Sequence, residues 1–230
     1  MRIGRLLRRS LWDRFPRDHW QSPGDFRRRQ LVTILVLFVG AGILALSLRL
    51  EPGSSSFYPA TLGLAVVWAI GGFASGPLHL GRIEVGPTSA RPVVQPIALG
   101  LALAAVFIVG GLVVKQVPFL EAQVSSVLDF AAQGSGPLVL LVTVLNGIAE
   151  ELFFRGAVYA SVRRHQVAVT AVAYCLTTAA TGNVMLTFAA LLLGVVVGLQ
   201  RRASGGVLAP ILTHVTWSVT MLYALPVVFG

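Results

Sequence analysis

Long apolar runs separated by short polar stretches dominate the pattern of residues along the 230-residue chain. The runs are about 16–22 residues long and do not alternate between apolar and polar positions, which is typical of membrane-spanning helices. In a bilayer every backbone polar group has to be satisfied internally, and a helix does this within one segment. The pattern therefore predicts an all-α polytopic membrane protein.

Seven of these runs are predicted to span the membrane. They cover residues 31–48, 57–74, 96–114, 137–161, 167–181, 184–199 and 207–223. A further segment, 118–133, places its apolar residues on one face beside Glu121 and Asp129, and it is too polar to span. We expect it to be a short interfacial helix. Residues 1–30 are predicted to form a basic tail, and residues 31–230 the transmembrane domain.

The composition agrees with this fold class. Only 12% of the residues are charged, whereas soluble domains carry about 25%. The formal net charge of +9 would suggest a nucleic-acid partner in a soluble protein, but the basic residues lie almost wholly outside the apolar runs. Membrane topology accounts for them better, so we expect a lipid bilayer as the partner and no nucleic acid.

The distribution of basic residues predicts the orientation. With the N-terminus in the cytoplasm, sixteen basic residues fall on the inner side and only Arg49 and Lys115 on the outer side. Inner loops rich in Lys and Arg are the rule for membrane proteins. This bias favours seven spans over six or eight, with the N-terminus cytoplasmic and the C-terminus outside. We expect an integral protein of a bacterial plasma membrane.

The tail has two interpretations, which the sequence leaves open. Its first eleven residues divide between two faces of a helix, with apolar residues opposite basic ones: Ile3, Leu6, Leu7 and Leu11 against Arg2, Arg5, Arg8 and Arg9. This pattern suits a helix lying on an anionic cytoplasmic leaflet. It equally suits a basic tail that only sets the topology.

Glu150 and Glu151 are the only acidic residues beyond Asp129, and they are adjacent within an apolar run. A carboxylate near a helix centre in a bilayer costs roughly 2.5–3.5 kcal/mol, so such residues usually have a function. Arg155 lies four residues after Glu151, the favourable order for an intrahelical ion pair. Glu150 is left as the candidate general base, or as a carboxylate that binds water or metal. Alternatively, both glutamates serve as hydrogen-bonding contacts between helices.

The sequence Glu-Glu-x-x-Phe-Arg at residues 150–155 resembles the first motif of the CPBP family. This family of intramembrane proteases includes the CAAX prenyl proteases and Abi-type proteins. The resemblance covers about residues 137–225, and His214 matches the histidine of the family's third motif. It implies a water activated by glutamate and histidine, with Glu150, Glu151, Arg155 and His214 as catalytic residues.

The resemblance is incomplete in the other two motifs. Aligning the chain on Gly182-Asn183 places Thr177 and Thr181 at the phenylalanine and histidine of the second motif. Ser218 stands where the third motif has asparagine or aspartate. Threonine cannot act as a base near neutral pH, so these positions are degenerate. The predicted site therefore has one histidine instead of two.

The resemblance implies a metalloprotease-like peptidase that hydrolyses a membrane-embedded or prenylated-type peptide. It leaves open a divalent metal such as zinc, with Glu150 and His214 as candidate ligands, one ligand short unless Glu151 contributes. The alternative is a non-catalytic member of the family that binds a membrane partner or acts as a scaffold. A small transporter is a third hypothesis, but no internal repeat supports it. His79 and His165 are expected to be interfacial polar residues.

Overall fold

The computed structural model describes residues 3–16, 20–85 and 88–230. Apart from one small β-hairpin, its regular elements are helical, which confirms the all-α membrane fold. In chain order they are α1 (Ile3–Leu11), α2 (Pro23–Ser47), α3 (Phe57–Ser75), β1 (Ile83–Val85), β2 (Thr88–Ala90), α4 (Val94–Val114), α5 (Pro118–Ala132), α6 (Gly136–Glu151) with a π-helical continuation (Leu152–Val158), α7 (Gln166–Ala179), α8 (Val184–Ser204) and α9 (Leu208–Phe229).

Six helices in the described part of the chain are long and apolar enough to cross a membrane, one fewer than the sequence predicts. The exception is α7, which has only 14 residues. At 1.5 Å per residue it is about 21 Å long, short of the roughly 30 Å hydrocarbon core. The predicted span 167–181 ends early because Ala179 is followed by a tight turn at Gly182, whose φ is 77°.

The turn that ends the short helix α7 is joined to the amphipathic helix α5. Asn183, in the turn after α7, donates from Nδ2 to the Gln123 carbonyl of α5 over 2.7 Å. The other end of α5 packs on α3, where the rings of Phe130 and Phe57 stack with centroids 4.7 Å apart. Helix α5 thus lies across one end of the bundle, which also contains the Lys115–Val228 contact of 2.8 Å. This is the end predicted to be outside.

The opposite end of the bundle gathers the loops that the sequence places in the cytoplasm. The turn before α9 is held by the loop after α3, with the Val207 amide donating to the His79 carbonyl over 2.8 Å. Helix α1 packs here against α8, and Phe15 N–H donates to the Ala203 carbonyl over 2.8 Å. The loops thus alternate between ends as predicted; which end faces the cytoplasm remains a prediction. Arg2 and His19 lie outside the described residues.

The first membrane helix begins eight residues before the predicted start at Leu31. Ser22 caps it by accepting a hydrogen bond from the Asp25 amide over 3.1 Å, and Pro23 occupies the first turn. The hydropathy pattern missed this start because three arginines follow it. Arg29 is nevertheless buried, with Nε donating to Gln21 over 2.9 Å.

The core that supports the functional region is aromatic. Trp68 of α3 stacks on Phe153 with ring centroids 4.6 Å apart, and Phe154 meets Phe153 edge-on at 5.2 Å. Gly40 of α2 allows this close packing, since a Cβ at that position would overlap the Trp68 ring. Phe153 and Phe154 belong to the π-helical segment, so this core fixes the backbone directly after the paired glutamates.

Candidate active site

A buried three-residue cluster joins α6 to α9. Glu151 Oε1 accepts a hydrogen bond from Arg155 Nη1 over 2.9 Å, as the spacing of the two residues predicts. The same oxygen lies 2.8 Å from His214 Nδ1. Glu151 and Arg155 are fully buried, and His214 is 5% exposed. A carboxylate and a guanidinium thus neutralise each other next to the imidazole, which lowers the cost of burying all three.

The backbone after Glu151 is wider than an α-helix, and this positions Arg155. Residues Leu152–Val158 form a π-helical segment, in which the Tyr159 amide donates five residues back to Phe154. Such insertions are frequent at functional sites. Arg155 Nη2 reaches the Gly194 carbonyl over 3.2 Å, and Arg201 Nε donates to the Arg155 carbonyl over 2.7 Å. Two contacts to α8 therefore hold the ion pair in place.

Glu150 lies on the other side of His214 and has a separate partner. Its Oε2 accepts a hydrogen bond of 2.6 Å from the hydroxyl of Tyr174 on α7. The same Oε2 lies 4.0 Å from His214 Nε2. Glu150 is only half-buried, whereas Glu151 is enclosed. The histidine therefore stands between the two adjacent glutamates, one on each ring nitrogen.

This arrangement assigns the two ring nitrogens of His214 different tasks. Glu151 Oε1, already paired with Arg155, is placed to accept a hydrogen bond from Nδ1, and in the tautomer that carries its proton on Nδ1 the Nε2 atom has a lone pair. Nε2 and Glu150 Oε2 are too far apart for a direct hydrogen bond. A water molecule at about 2.8 Å from each atom would bridge the two.

Residues 132–220 match the model of the family described as type II CAAX prenyl endopeptidase Rce1-like. Over this stretch the chain is similar to the CPBP/CAAX protease family. The match confirms the resemblance derived from the motif at residues 150–155, and it includes His214. Comparison with curated proteins and with solved structures gave no match.

The degenerate positions of the CPBP second motif lie away from the glutamates. The Thr181 hydroxyl donates to the Thr178 carbonyl over 2.7 Å and accepts from the Asn183 amide, so it stabilises the turn next to α5. Thr177 is buried, and its hydroxyl donates to the Ala173 carbonyl over 2.8 Å. In the third motif, Ser218 is half-buried one turn beyond His214.

Tyr174 is the residue of the site that the sequence analysis missed. It is 8% exposed, and its ring packs between Phe154, 4.8 Å away, and the Arg155 guanidinium, 4.9 Å from the ring centre. Tyr174 and Thr178 are four residues apart, the spacing of phenylalanine and histidine in the second motif. In the sequence, the sign of its role is only that a tyrosine stands inside the apolar run of α7. The periodicity of the run does not connect this tyrosine with Glu150.

The side chains of the site do not fit a zinc ion. Glu151 Oε1 is occupied by Arg155 and by His214 Nδ1, and Glu150 Oε2 accepts from Tyr174. His214 Nε2, the buried and unpartnered Glu151 Oε2 and the remaining capacity of Glu150 are left, whereas a catalytic zinc usually has three protein ligands arranged around one point. Among the described residues, no group of three or more His, Cys, Asp or Glu side chains is placed to hold a metal ion.

Asn146 adds an unpaired polar atom on the Glu150 face of α6. It lies one turn before Glu150, and its Nδ2 donates to the Val142 carbonyl over 3.0 Å. Its Oδ1 is buried without a protein partner. A buried carbonyl oxygen is normally hydrogen-bonded, if not to protein then to water. A water molecule beside this atom, one turn from Glu150, would satisfy it.

A polar pocket of about 540 Å³ opens at the end of the bundle opposite α5. Its walls include Tyr159, Gln166 and Arg201, and it extends to Gly156, the residue after Arg155. His79 also borders it, while His165 precedes α7 as an exposed residue with a φ of 53°. Both histidines thus belong to this end of the bundle, as the sequence analysis predicts. The pocket provides polar surface close to the ion pair.

Proposed function

We propose that the chain is an intramembrane peptidase of the CPBP type, in which a water held between Glu150 and His214 hydrolyses a peptide bond. The observation that carries the proposal is the position of His214, with Glu151 2.8 Å from Nδ1 and Glu150 4.0 Å from Nε2. A buried carboxylate on Nδ1 keeps the imidazole in the tautomer and orientation that a general base requires. The substrate is a membrane-embedded peptide.

The reaction follows from the acceptors around this water. Its oxygen attacks the carbonyl carbon of the scissile bond while one proton passes to His214 Nε2 or to Glu150. The C–N bond then breaks, and the same proton is returned to the leaving amine. Glu151 and Arg155 stay charged throughout and stabilise the imidazolium that forms, as the buried aspartate does in serine proteases.

The test compares membranes that contain the wild-type protein with membranes that contain Glu150→Gln or His214→Ala. Mass spectrometry of protein termini in each membrane identifies peptide bonds cut only in the wild type. We expect a set of such termini inside membrane-embedded segments and their loss in both variants. Glu84→Gln is the matched control, because Glu84 lies exposed in the β-hairpin.

The second candidate is the non-catalytic member that binds a membrane partner. The lack of an imidazole at Thr181 favours it, since the site then has a single histidine. If the termini are identical in wild-type, Glu150→Gln and His214→Ala membranes, hydrolysis is ruled out and this candidate replaces the peptidase. Cross-linking in the same membranes would then identify the partner.

A further inference from the structure

We infer that Tyr174 is a positioning residue for Glu150. The inference deepens the proposed function, and one of its two measurements is independent of that function. It starts from the hydrogen bond of 2.6 Å between the Tyr174 hydroxyl and Glu150 Oε2. A charge-assisted O–H···O contact of this length is among the stronger hydrogen bonds in proteins.

The ring of Tyr174 is fixed on several sides, so its hydroxyl has a defined position. Phe154 packs against it at a centroid distance of 4.8 Å, and the Arg155 guanidinium lies 4.9 Å from its centre. The His214 ring approaches it edge-on at 6.4 Å. All three neighbours are themselves buried. A locked ring can impose one orientation on the carboxylate that it contacts.

Glu150 needs such a partner because no cation pairs with it as Arg155 pairs with Glu151. Among the ion-pair contacts between described residues, Glu150 has only the 4.0 Å approach to His214. A glutamate has three rotatable side-chain bonds, and without a fixed donor its carboxylate is free to leave the histidine. The Tyr174 hydroxyl contacts the same oxygen that lies nearest Nε2. It therefore holds that oxygen beside the water site.

The positions of Tyr174 and Thr178 along α7 explain why a tyrosine contacts Glu150. Tyr174 lies one turn before Thr178, whose hydroxyl is directed back to the Tyr174 carbonyl over 3.0 Å. The Thr178 side chain is thus turned to the backbone of α7, whereas the Tyr174 hydroxyl reaches Glu150. The phenol donates a hydrogen bond near neutral pH but does not act as a base there. We therefore assign it positioning and leave proton transfer to Glu150 and His214.

The experiment compares Tyr174→Phe with the wild type after reconstitution into lipid vesicles. This change keeps the ring contacts and removes only the hydroxyl. Tyr223→Phe is the matched control, because Tyr223 is 59% exposed on α9. The first measurement is the rate at which an apolar carbodiimide labels Glu150, followed by peptide mass spectrometry. We expect labelling to increase several-fold in Tyr174→Phe and to stay unchanged in Tyr223→Phe.

The second measurement is turnover of a substrate identified in the membrane comparison above. We expect kcat to fall about tenfold or more with little change in KM, since orientation of a general base affects the transition state rather than binding. If labelling of Glu150 is the same in Tyr174→Phe and wild type, the inference is wrong whatever the activity. If labelling increases but the wild type cleaves nothing, the contact is as inferred and the peptidase proposal fails instead.

Discussion

His214 Nδ1 lies 2.8 Å from the oxygen of Glu151 that also accepts from Arg155, so one carboxylate oxygen serves an imidazole and a guanidinium. The geometry separates the two adjacent glutamates by role. Glu151 is enclosed and holds the histidine, whereas Glu150 is more accessible and faces the other ring nitrogen. We therefore expect the two glutamates to respond differently to substitution.

Removing the charge of Glu151 should unfold the protein more readily as well as inactivate it. In Glu151→Gln the buried Arg155 loses its counter-charge, and breaking a buried pair costs about 3–5 kcal/mol. The double variant Glu151→Gln/Arg155→Met should lose less than the sum of the single variants, because no unpaired charge remains. Equilibrium unfolding in detergent measures both. Additive losses would show that the two side chains are not energetically coupled.

We expect the loop after α3 to hold the start of α9 in place. Gly206→Val should lower both stability and turnover, because a Cβ at Gly206 would overlap the backbone of Leu80 and Gly81. That overlap would separate the Val207 amide from the His79 carbonyl at the start of the helix that carries His214. Thermal unfolding and the cleavage assay measure the two effects. Gly42→Val is the control, since nothing lies within 4 Å of a Cβ at Gly42; equal losses in both variants would refute the argument.

The turn between α7 and α8 should anchor α5. Asn183 caps α8 by accepting from the Leu186 amide over 2.9 Å, and it binds α5 through the Gln123 carbonyl. Asn183→Ala should cost about 1–2 kcal/mol through the lost cap. It should also raise hydrogen exchange in α5 while leaving α2 unchanged. Gln116→Ala, an exposed change next to α5, serves for comparison. Unchanged exchange in α5 would mean that other contacts hold it.

The orientation predicted from the arginines can be tested with single cysteines in a Cys175→Ser background. Ser55 and Ala90 are exposed at opposite ends of the bundle. We expect a membrane-impermeant maleimide to label Ser55→Cys in intact cells and Ala90→Cys only after the membrane is opened. The reverse pattern would invert the topology. Labelling of both in intact cells would contradict a fold with these loops on opposite sides of the membrane.

The sequence predicts most of the fold because hydropathy is a local property of each run. Helix α2 begins earlier than predicted, since the Ser22 and Pro23 signals precede arginines that hydropathy excludes. Helix α7 is shorter than predicted because the chain turns at Gly182, and the next residue, Asn183, joins this turn to α5 in a tertiary contact.

The site was predictable only where its residues share a helix or a motif. The pair Glu151–Arg155 follows from helical spacing, and His214 from the family resemblance. Tyr174 meets Glu150 because α7 packs against the π-helical continuation of α6, and this π-helical segment has no signature in hydropathy. Neither can be derived from local pattern alone.

The position of α5 has a consequence for the permeability of the membrane. A hydrolytic centre within a bilayer has to be supplied with water, yet a continuous aqueous path would let ions and protons leak across. Helix α5 lies across one end of the bundle and is joined to the turn after α7, while the polar pocket opens at the other end. If the site hydrolyses peptides as proposed, water would enter from the end with the pocket, and the end covered by α5 would stay closed to ions and protons.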